Sequence, residues 1–122
     1  MMIASYKDLE VYKESYQMFL LVHSVTKELP EAERYEIGSQ IRRAAMSIPM
    51  NIAEGYGKKE SDKDFKRFLR MSLGSCNEVF VLLDMCKDLD YITDKEHEVL
   101  TQRYDVLGRR INTLIQKWKS NL

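Results

Sequence analysis

The chain has 122 residues, of which 44% are hydrophobic and 31% are charged, and its 19 basic side chains balance 19 acidic ones. This composition is typical of one folded domain over residues 1–122, and zero net charge excludes a general polycation that binds nucleic acid indiscriminately. No run approaches the roughly 18 apolar residues of a membrane span, and residues 1–9 carry Lys7 and Asp8 where a signal peptide has its apolar core. We therefore expect a cytoplasmic protein with no membrane partner.

A first helix is predicted over residues 6–28. Ser5 and Asp8 have the spacing of a capping box, in which two side chains satisfy the free N–H groups of a helix start. Pro30 ends the helix, because the residue before a proline avoids helical angles. The residues expected on one face are Leu9, Tyr12, Tyr16, Phe19 or Leu20, and His23.

A second helix is predicted over residues 36–56, with a proline in its middle. Its apolar face consists of Ile37, Ile41, Ala44 or Ala45, Ile48 and Ile52. Pro49 removes the hydrogen bond to the Ala45 carbonyl, and an interior proline costs about 3 kcal/mol relative to alanine. Neighbouring elements must therefore hold this helix. Gly55 and Gly57 are expected to end it, because glycine tolerates positive φ.

A third helix is predicted over residues 62–89, with Ser61 as its N-cap. Its buried face is expected to contain Phe65, Phe68 or Leu69, Ser72, Cys76, Val79 or Phe80, and Leu83. Gly74 within it indicates a close approach of another helix. If the helix forms, Cys76 and Cys86 are separated by about 15 Å of rise. That is too far for a disulfide, so both are predicted to be reduced and buried.

A fourth helix is predicted over residues 94–119, where Thr93 and Glu96 form a second capping box. Its core positions follow a strict heptad spacing and are Leu100, Tyr104, Leu107, Ile111, Leu114 and Trp118. Four helices with short connections and no strand signal predict an all-α, up-down-up-down antiparallel four-helix bundle.

Sites for metal or catalysis are not indicated. Neither His23 nor His97 belongs to the Glu-x-x-His pattern of bundle metal sites, and Cys76 and Cys86 lack metal-ligand spacing. The two histidines lie in separate helices with no glycine-rich elbow beside a serine, and Cys76 has no neighbouring base in sequence. No phosphate-binding loop follows a strand. The sequence predicts a non-enzymatic protein with no metal and no cofactor.

Charge is unevenly distributed along this neutral chain. A basic stripe surrounds the start of the third helix and comprises Lys58, Lys59, Lys63, Lys66, Arg67 and Arg70. In an antiparallel bundle it shares one pole with the basic end of the fourth helix, while residues 84–98 make the other pole acidic. Such a stripe suits contacts with RNA phosphates, and Tyr56 beside it could stack on a base or cover the core. The alternative is a solvated helix face with pairs of little energetic value.

Apolar and aromatic side chains exceed what one bundle interior absorbs, notably Tyr6, Tyr12, Tyr16, Val99, Val106 and Ile115. This excess predicts self-association, although tyrosines can also line the rim of a core. The polar residues around Pro49 are expected to be structural, with Arg42 or Arg43 pairing with a carboxylate such as Glu54 or Glu78. A binding groove is the alternative. We assign a structural and assembly motif to Arg42, Arg43, Ser47, Pro49, Asn51, Glu54 and Gly55.

Nearly the whole chain resembles a known family. Gln40-Ile41-Arg42-Arg43-Ala44-Ala45, Ser47-Ile48-Pro49-x-Asn51-Ile52-Ala53-Glu54-Gly55, Phe65-x-x-Phe68-Leu69, Gly74-Ser75 and Glu78 resemble the bacterial four-helix-bundle proteins encoded in 23S rRNA intervening sequences. Met50 departs from the small residue more usual there. The resemblance implies a bundle that assembles into a ring-like homopentamer, similar in fold to nucleic-acid-binding accessory proteins of retroelements. It implies possible RNA contact and no catalytic residues.

Overall fold

The structure, a computed structural model, describes residues 3–119, and the two ends of the predicted domain 1–122 lie outside this range. Within it the chain is helical and contains no strand. The four long helices are α1 (Glu10–Thr26), α2 (Ile37–Tyr56), α3 (Asp62–Asp88) and α4 (Asp94–Lys117). They pack on one core of buried side chains, which confirms the predicted four-helix bundle.

Three predicted N-terminal caps are present. The Thr93 hydroxyl accepts from the Glu96 N–H at 3.0 Å, and the Glu96 carboxylate accepts from the Thr93 N–H at 2.8 Å. Ser61 accepts from the Asp64 N–H. The box at Ser5 closes a 3-10 turn (Tyr6–Asp8), after which Leu9 is extended, so α1 begins four residues later than predicted. A one-turn helix, Glu31–Arg34, lies in the predicted polar connection before α2.

The end of α3 is a Schellman motif. The Tyr91 N–H donates to the Cys86 carbonyl at 2.8 Å, and the Asp90 N–H donates to the Lys87 carbonyl at 3.0 Å. This geometry places Asp90 at a φ of 61°, in the left-handed region that favours glycine. The turn therefore stores backbone strain at one non-glycine residue.

Helix α2 continues through Pro49, and side chains of α3 support it there. The buried Ser72 hydroxyl donates to the Ile48 carbonyl at 3.0 Å, and the Ser47 and Ser75 hydroxyls are hydrogen-bonded to each other. Within α2, Asn51 donates from its amide to the Ser47 carbonyl. Because these bonds flank the proline on both sides, the surrounding structure holds the helix where its own backbone lacks a donor.

Three glycines have roles different from those predicted. Gly55 lies inside α2 without a positive φ, and its place is explained by packing: a Cβ there would lie 2.6 Å from the Cβ of Phe68. Gly57 also has an ordinary helical φ. At Gly74 an added Cβ would meet no atom of residues 3–119 within 4 Å, so the described part of the chain does not make the close helix approach expected there.

The buried face of α1 also differs from the prediction. The residues buried in the helix are Val11, Ser15, Met18, Val22 and Thr26, and Leu9 just before it is buried too. Tyr16, Leu20 and His23 are exposed, while Tyr12 and Phe19 are half-buried. Two stripes on α1 have apolar spacing, and only contact with the other helices decides that the aliphatic one faces the core.

The predicted faces of α2, α3 and α4 are largely confirmed. Tyr104 and Ile111 are fully buried, but α4 then buries Ile115 more completely than Leu114, and the helix ends before Trp118. Both cysteines are free and buried. Burial raises the pKa of Cys76 to about 12 and also raises the pKa values of Cys86 and Tyr104.

Candidate nucleic-acid interface

Three aromatic rings join the ends of three helices at one pole of the bundle. The centroids of Phe65 and Trp118 are 4.7 Å apart, and those of Tyr56 and Phe65 are 6.1 Å apart, both in edge-to-face contact. We call Tyr56, Phe65 and Trp118 the aromatic junction. It brings the end of α2, the start of α3 and the residue following α4 together, as an antiparallel bundle requires.

The basic cluster lies in the turn after α2 and in the first turns of α3, at the same pole as this junction. It consists of Lys58, Lys59, Lys63, Lys66, Arg67 and Arg70. The Lys59 ammonium lies 4.4 Å from the centroid of the Tyr56 ring. Tyr56 is only 7% exposed, so it covers the core and supports Lys59, and it is not free to stack on a base. Of the two roles considered for this tyrosine, the structure selects the packing role.

A second ring, that of Phe68, carries two more cations. The Arg67 guanidinium lies 4.6 Å and the Lys58 ammonium 5.4 Å from its centroid. Lys58 also donates to the Glu54 carboxylate at 3.2 Å. The role of Phe68 was not expected, although its position beside Arg67 in the sequence could have indicated a stacking contact.

The remaining members of the basic cluster lie along the first turns of α3. Lys63 and Arg70 are exposed, and Lys66 is partly exposed. Successive cations on this face are separated by about 4.5–6 Å of helix rise. The cluster is therefore an open row of cations at one end of the molecule, where the phosphate groups of a flexible nucleic-acid strand can reach it.

The end of α4 adds cations to the same pole. Arg110 forms an ion pair with Glu14 of α1, and Arg109 pairs with Asp105 one turn away. Between α1 and α4 an open groove of about 440 Å³ has an apolar floor that includes Val11 and Leu114. Because two of its rim arginines already have carboxylate partners, this groove is less cationic than the sequence suggests.

The opposite pole is acidic. There His97 contacts the Asp84 carboxylate at 2.7 Å, joining α3 to α4. Burial, followed by the nearby Glu33 carboxylate, raises the pKa of Tyr91. The contact between Asp84 and His97 was not predicted, because thirteen residues of sequence separate them across a turn.

The assembly motif is only partly brought together. Arg42 donates to the Arg34 carbonyl at 2.7 Å, and Arg43 is exposed. Glu54 pairs with Lys58, and within residues 3–119 neither Arg42 nor Arg43 forms the expected ion pair with Glu54 or Glu78. Ser47 and Gly55 lie against α3, Asn51 donates to the Ser47 carbonyl within α2, and Pro49 is buried.

Other kinds of site are not found in the described part of the chain. Residues 3–119 contain no group of three or more His, Cys, Asp or Glu side chains arranged to hold a metal ion. Over the same range no helix is long and apolar enough to cross a lipid bilayer.

The fold and this surface define an antiparallel four-helix-bundle protein with a cluster of six cations at one end. The chain belongs to the family of 23S rRNA-intervening sequence proteins, whose family model matches residues 7–113. This confirms the resemblance. Neither the family description nor that of the structural neighbour below indicates an enzymatic activity.

A solved structure shares the fold. It is a protein of unknown function of the S23 ribosomal protein family from Bacteroides thetaiotaomicron, with a TM-score of 0.80 and 24% sequence identity. The similarity covers 88% of this chain and 99% of that one. No curated protein sequence matches the chain.

Proposed function

We propose that this protein is a non-enzymatic, homo-oligomeric bundle that binds RNA through its basic cluster. One observation carries the proposal: on a chain of zero net charge, six cations gather around the aromatic junction at one pole. The family to which the chain belongs takes its description from 23S rRNA, which is consistent with an RNA partner. Such a partner implies that the protein acts in the cytoplasm.

The chemistry of the cluster favours phosphate contact over base recognition. Lys59 and Arg67 rest on ring faces, which fixes their positions without neutralising their charge. Tyr56 is buried and Phe68 is partly covered, so stacking platforms for bases are limited. We therefore expect binding with weak sequence preference and strong dependence on salt.

The test is RNA affinity measured against salt concentration. We expect the combined change Lys63→Ala, Arg67→Ala and Arg70→Ala to weaken binding and to reduce the salt slope by about 2 for single-stranded RNA, because each lost phosphate contact removes about 0.7. The matched control changes three exposed lysines at or near the acidic pole, Lys27, Lys87 and Lys95, to alanine. Equal affinities and slopes for the two triple variants would refute the proposed contact.

Self-association is the second part of the proposal, and an aromatic groove supports it. This groove, of about 300 Å³, lies between α1 and α2, with Pro49 among its lining residues. Tyr16 is 46% and Met50 60% exposed at its edge, a large apolar area to leave in water. We propose that a second copy covers it, in the homopentamer that the family resemblance implies. A 14.4 kDa species in light scattering at micromolar concentration would contradict this.

The alternative function is a protein-interaction scaffold without nucleic-acid contact. The apolar groove between α1 and α4 favours it, because that groove has an apolar floor and a rim partly neutralised by ion pairs. Capture of partners from cells with and without nuclease treatment separates the two functions. A partner that survives nuclease, together with no RNA affinity of the purified protein, supports the scaffold.

A further inference from the structure

The outer face of α3 carries a second row of residues at core-like spacing. Its members are Met71, Gly74, Glu78, Val81 and Met85, which recur at steps of three and four and which we call the outward stripe. Met71, Val81 and Met85 are 47%, 52% and 48% exposed. The stripe lies about 200° around the helix from the buried row that contains Leu69 and Cys76, so the bundle itself cannot cover it.

The surface along this stripe is concave. An open depression of about 400 Å³ is lined by Gly74, Asn77, Glu78, Val81 and Met85, with Gln40 of α2 at its edge. Among the residues that the structure describes, nothing lies within 4 Å of the position that a Cβ on Gly74 would take. A row of apolar side chains with a vacant glycine position is the shape that receives another helix.

The charges on this face are complementary between two copies that run in opposite directions. Arg67 and Arg70 lie at one end of the stripe, and Asp88 lies at the other, one turn beyond Asp84, whose carboxylate contacts His97 of α4. All four are exposed. Arg67 and Asp88 are equally far from the midpoint between Asn77 and Glu78, and so are Gly74 and Val81. When two such helices run antiparallel, each basic end meets an acidic end.

We propose that the outward stripe binds a second copy of this chain, with the two α3 helices antiparallel about a two-fold axis between positions 77 and 78. Val81 of each copy enters the space over Gly74 of the other, and Arg67 pairs with Asp88 at both ends. At the centre, the amide of Asn77 faces the Glu78 carboxylate of the opposite copy, which supplies that carboxylate with donors near the axis. The paired segment, from Arg67 to Asp88, is about 31 Å long.

This contact is distinct from ring closure. In a ring each copy presents two different patches to its neighbours, whereas a two-fold contact uses the same patch on both copies. Pairing through the outward stripe therefore doubles whatever assembly the other surfaces form. The number of chains in the particle is even when the stripe is engaged and falls by half when it is not.

The test exploits the symmetry with two single charge reversals, Arg67→Asp and Asp88→Arg. Each alone turns two attractive contacts into two repulsive ones, and we expect pairing to weaken about tenfold or more. An equimolar mixture of the two variants should restore pairing, because both contacts between unlike variants are again between opposite charges. Sedimentation velocity on nuclease-treated protein should therefore show half the wild-type mass for each variant and the full mass for the mixture.

Two controls complete the experiment. Glu98→Arg reverses an exposed charge on α4 away from the stripe and should leave the mass unchanged. Asp88→Arg should retain the RNA affinity of the wild type, since Asp88 is about 31 Å from Arg67, so failure of pairing is distinguished from failure of the basic cluster. An unchanged mass in the single variants, or a mixture that stays at half mass, would overturn the proposal.

Discussion

Substitution of Gly55 and Gly74 by alanine should have opposite effects, although both glycines lie within long helices. Alanine is favoured over glycine inside a helix by about 1 kcal/mol at either position. At Gly55 the new Cβ would lie 2.6 Å from the Cβ of Phe68, whereas carbon atoms pack best at about 3.5–4.0 Å. Since the Cβ of Phe68 is fixed to its backbone, α2 and α3 must move apart by about 1 Å.

The magnitudes follow from these distances. Overpacking of a well-filled interface costs typically about 1–3 kcal/mol, and separating the helices also weakens the bond from Ser72 to Ile48. We expect Gly55→Ala to lower the free energy of unfolding by about 1–2 kcal/mol after the propensity gain. Gly74→Ala, which has open space, should raise it by about 1 kcal/mol.

Urea unfolding followed by far-UV circular dichroism measures both changes. The variants should be compared in the Asp88→Arg background, so that pairing of copies does not contribute to stability. Equal slopes against urea would show that the unfolding transition itself is unchanged. If Gly55→Ala is as stable as its parent, the close approach of Phe68 does not explain this glycine.

Three further results are expected. Asp90→Gly should stabilise the fold by about 1 kcal/mol in urea unfolding, because φ is 61° there, and a loss of stability would contradict the left-handed cap. The pKa of Cys76 is about 12 in the folded protein and 9.0 when the thiol is exposed. Its contribution to the free energy of unfolding is therefore complete below pH 9 and falls as pH rises from 9 to 12. The loss reaches about 1.4 kcal/mol per pH unit, and Cys76→Ala should unfold with a shallower dependence over that range. Pro49→Ala should keep the helical spectrum and change the oligomer mass in light scattering, and an unchanged mass would make the proline a local feature.

Local signals in the sequence predicted the elements well. Apolar spacing located the four long helices, and side-chain caps at Ser61 and Thr93 marked two of their starts, because caps depend on residues only three apart. The support that Pro49 needs was also foreseeable, since a missing backbone donor must be compensated. Ser72 and Ser75 supply that support. Their role could not be foreseen, because it depends on how α2 packs against α3.

What could not be read from the sequence depends on contacts between distant segments. Gly55 and Gly74 look alike in a helical pattern, and only the position of Phe68 distinguishes them. On α1 two stripes compete for the core, and spacing alone does not rank them. In the candidate interface the role of the six cations stays a prediction. The rings that support them were not all foreseen, and neither was the pairing of Arg110 with Glu14.

The aromatic junction also gives the protein an optical reporter. Trp118 is the single tryptophan of the chain, and its buried indole nitrogen has no hydrogen-bond partner among residues 3–119. Its emission is therefore sensitive to water entering between Tyr56 and Phe65, before the helices themselves come apart. Comparing fluorescence with circular dichroism during denaturation distinguishes local opening of the basic pole from loss of the whole bundle, without any added dye.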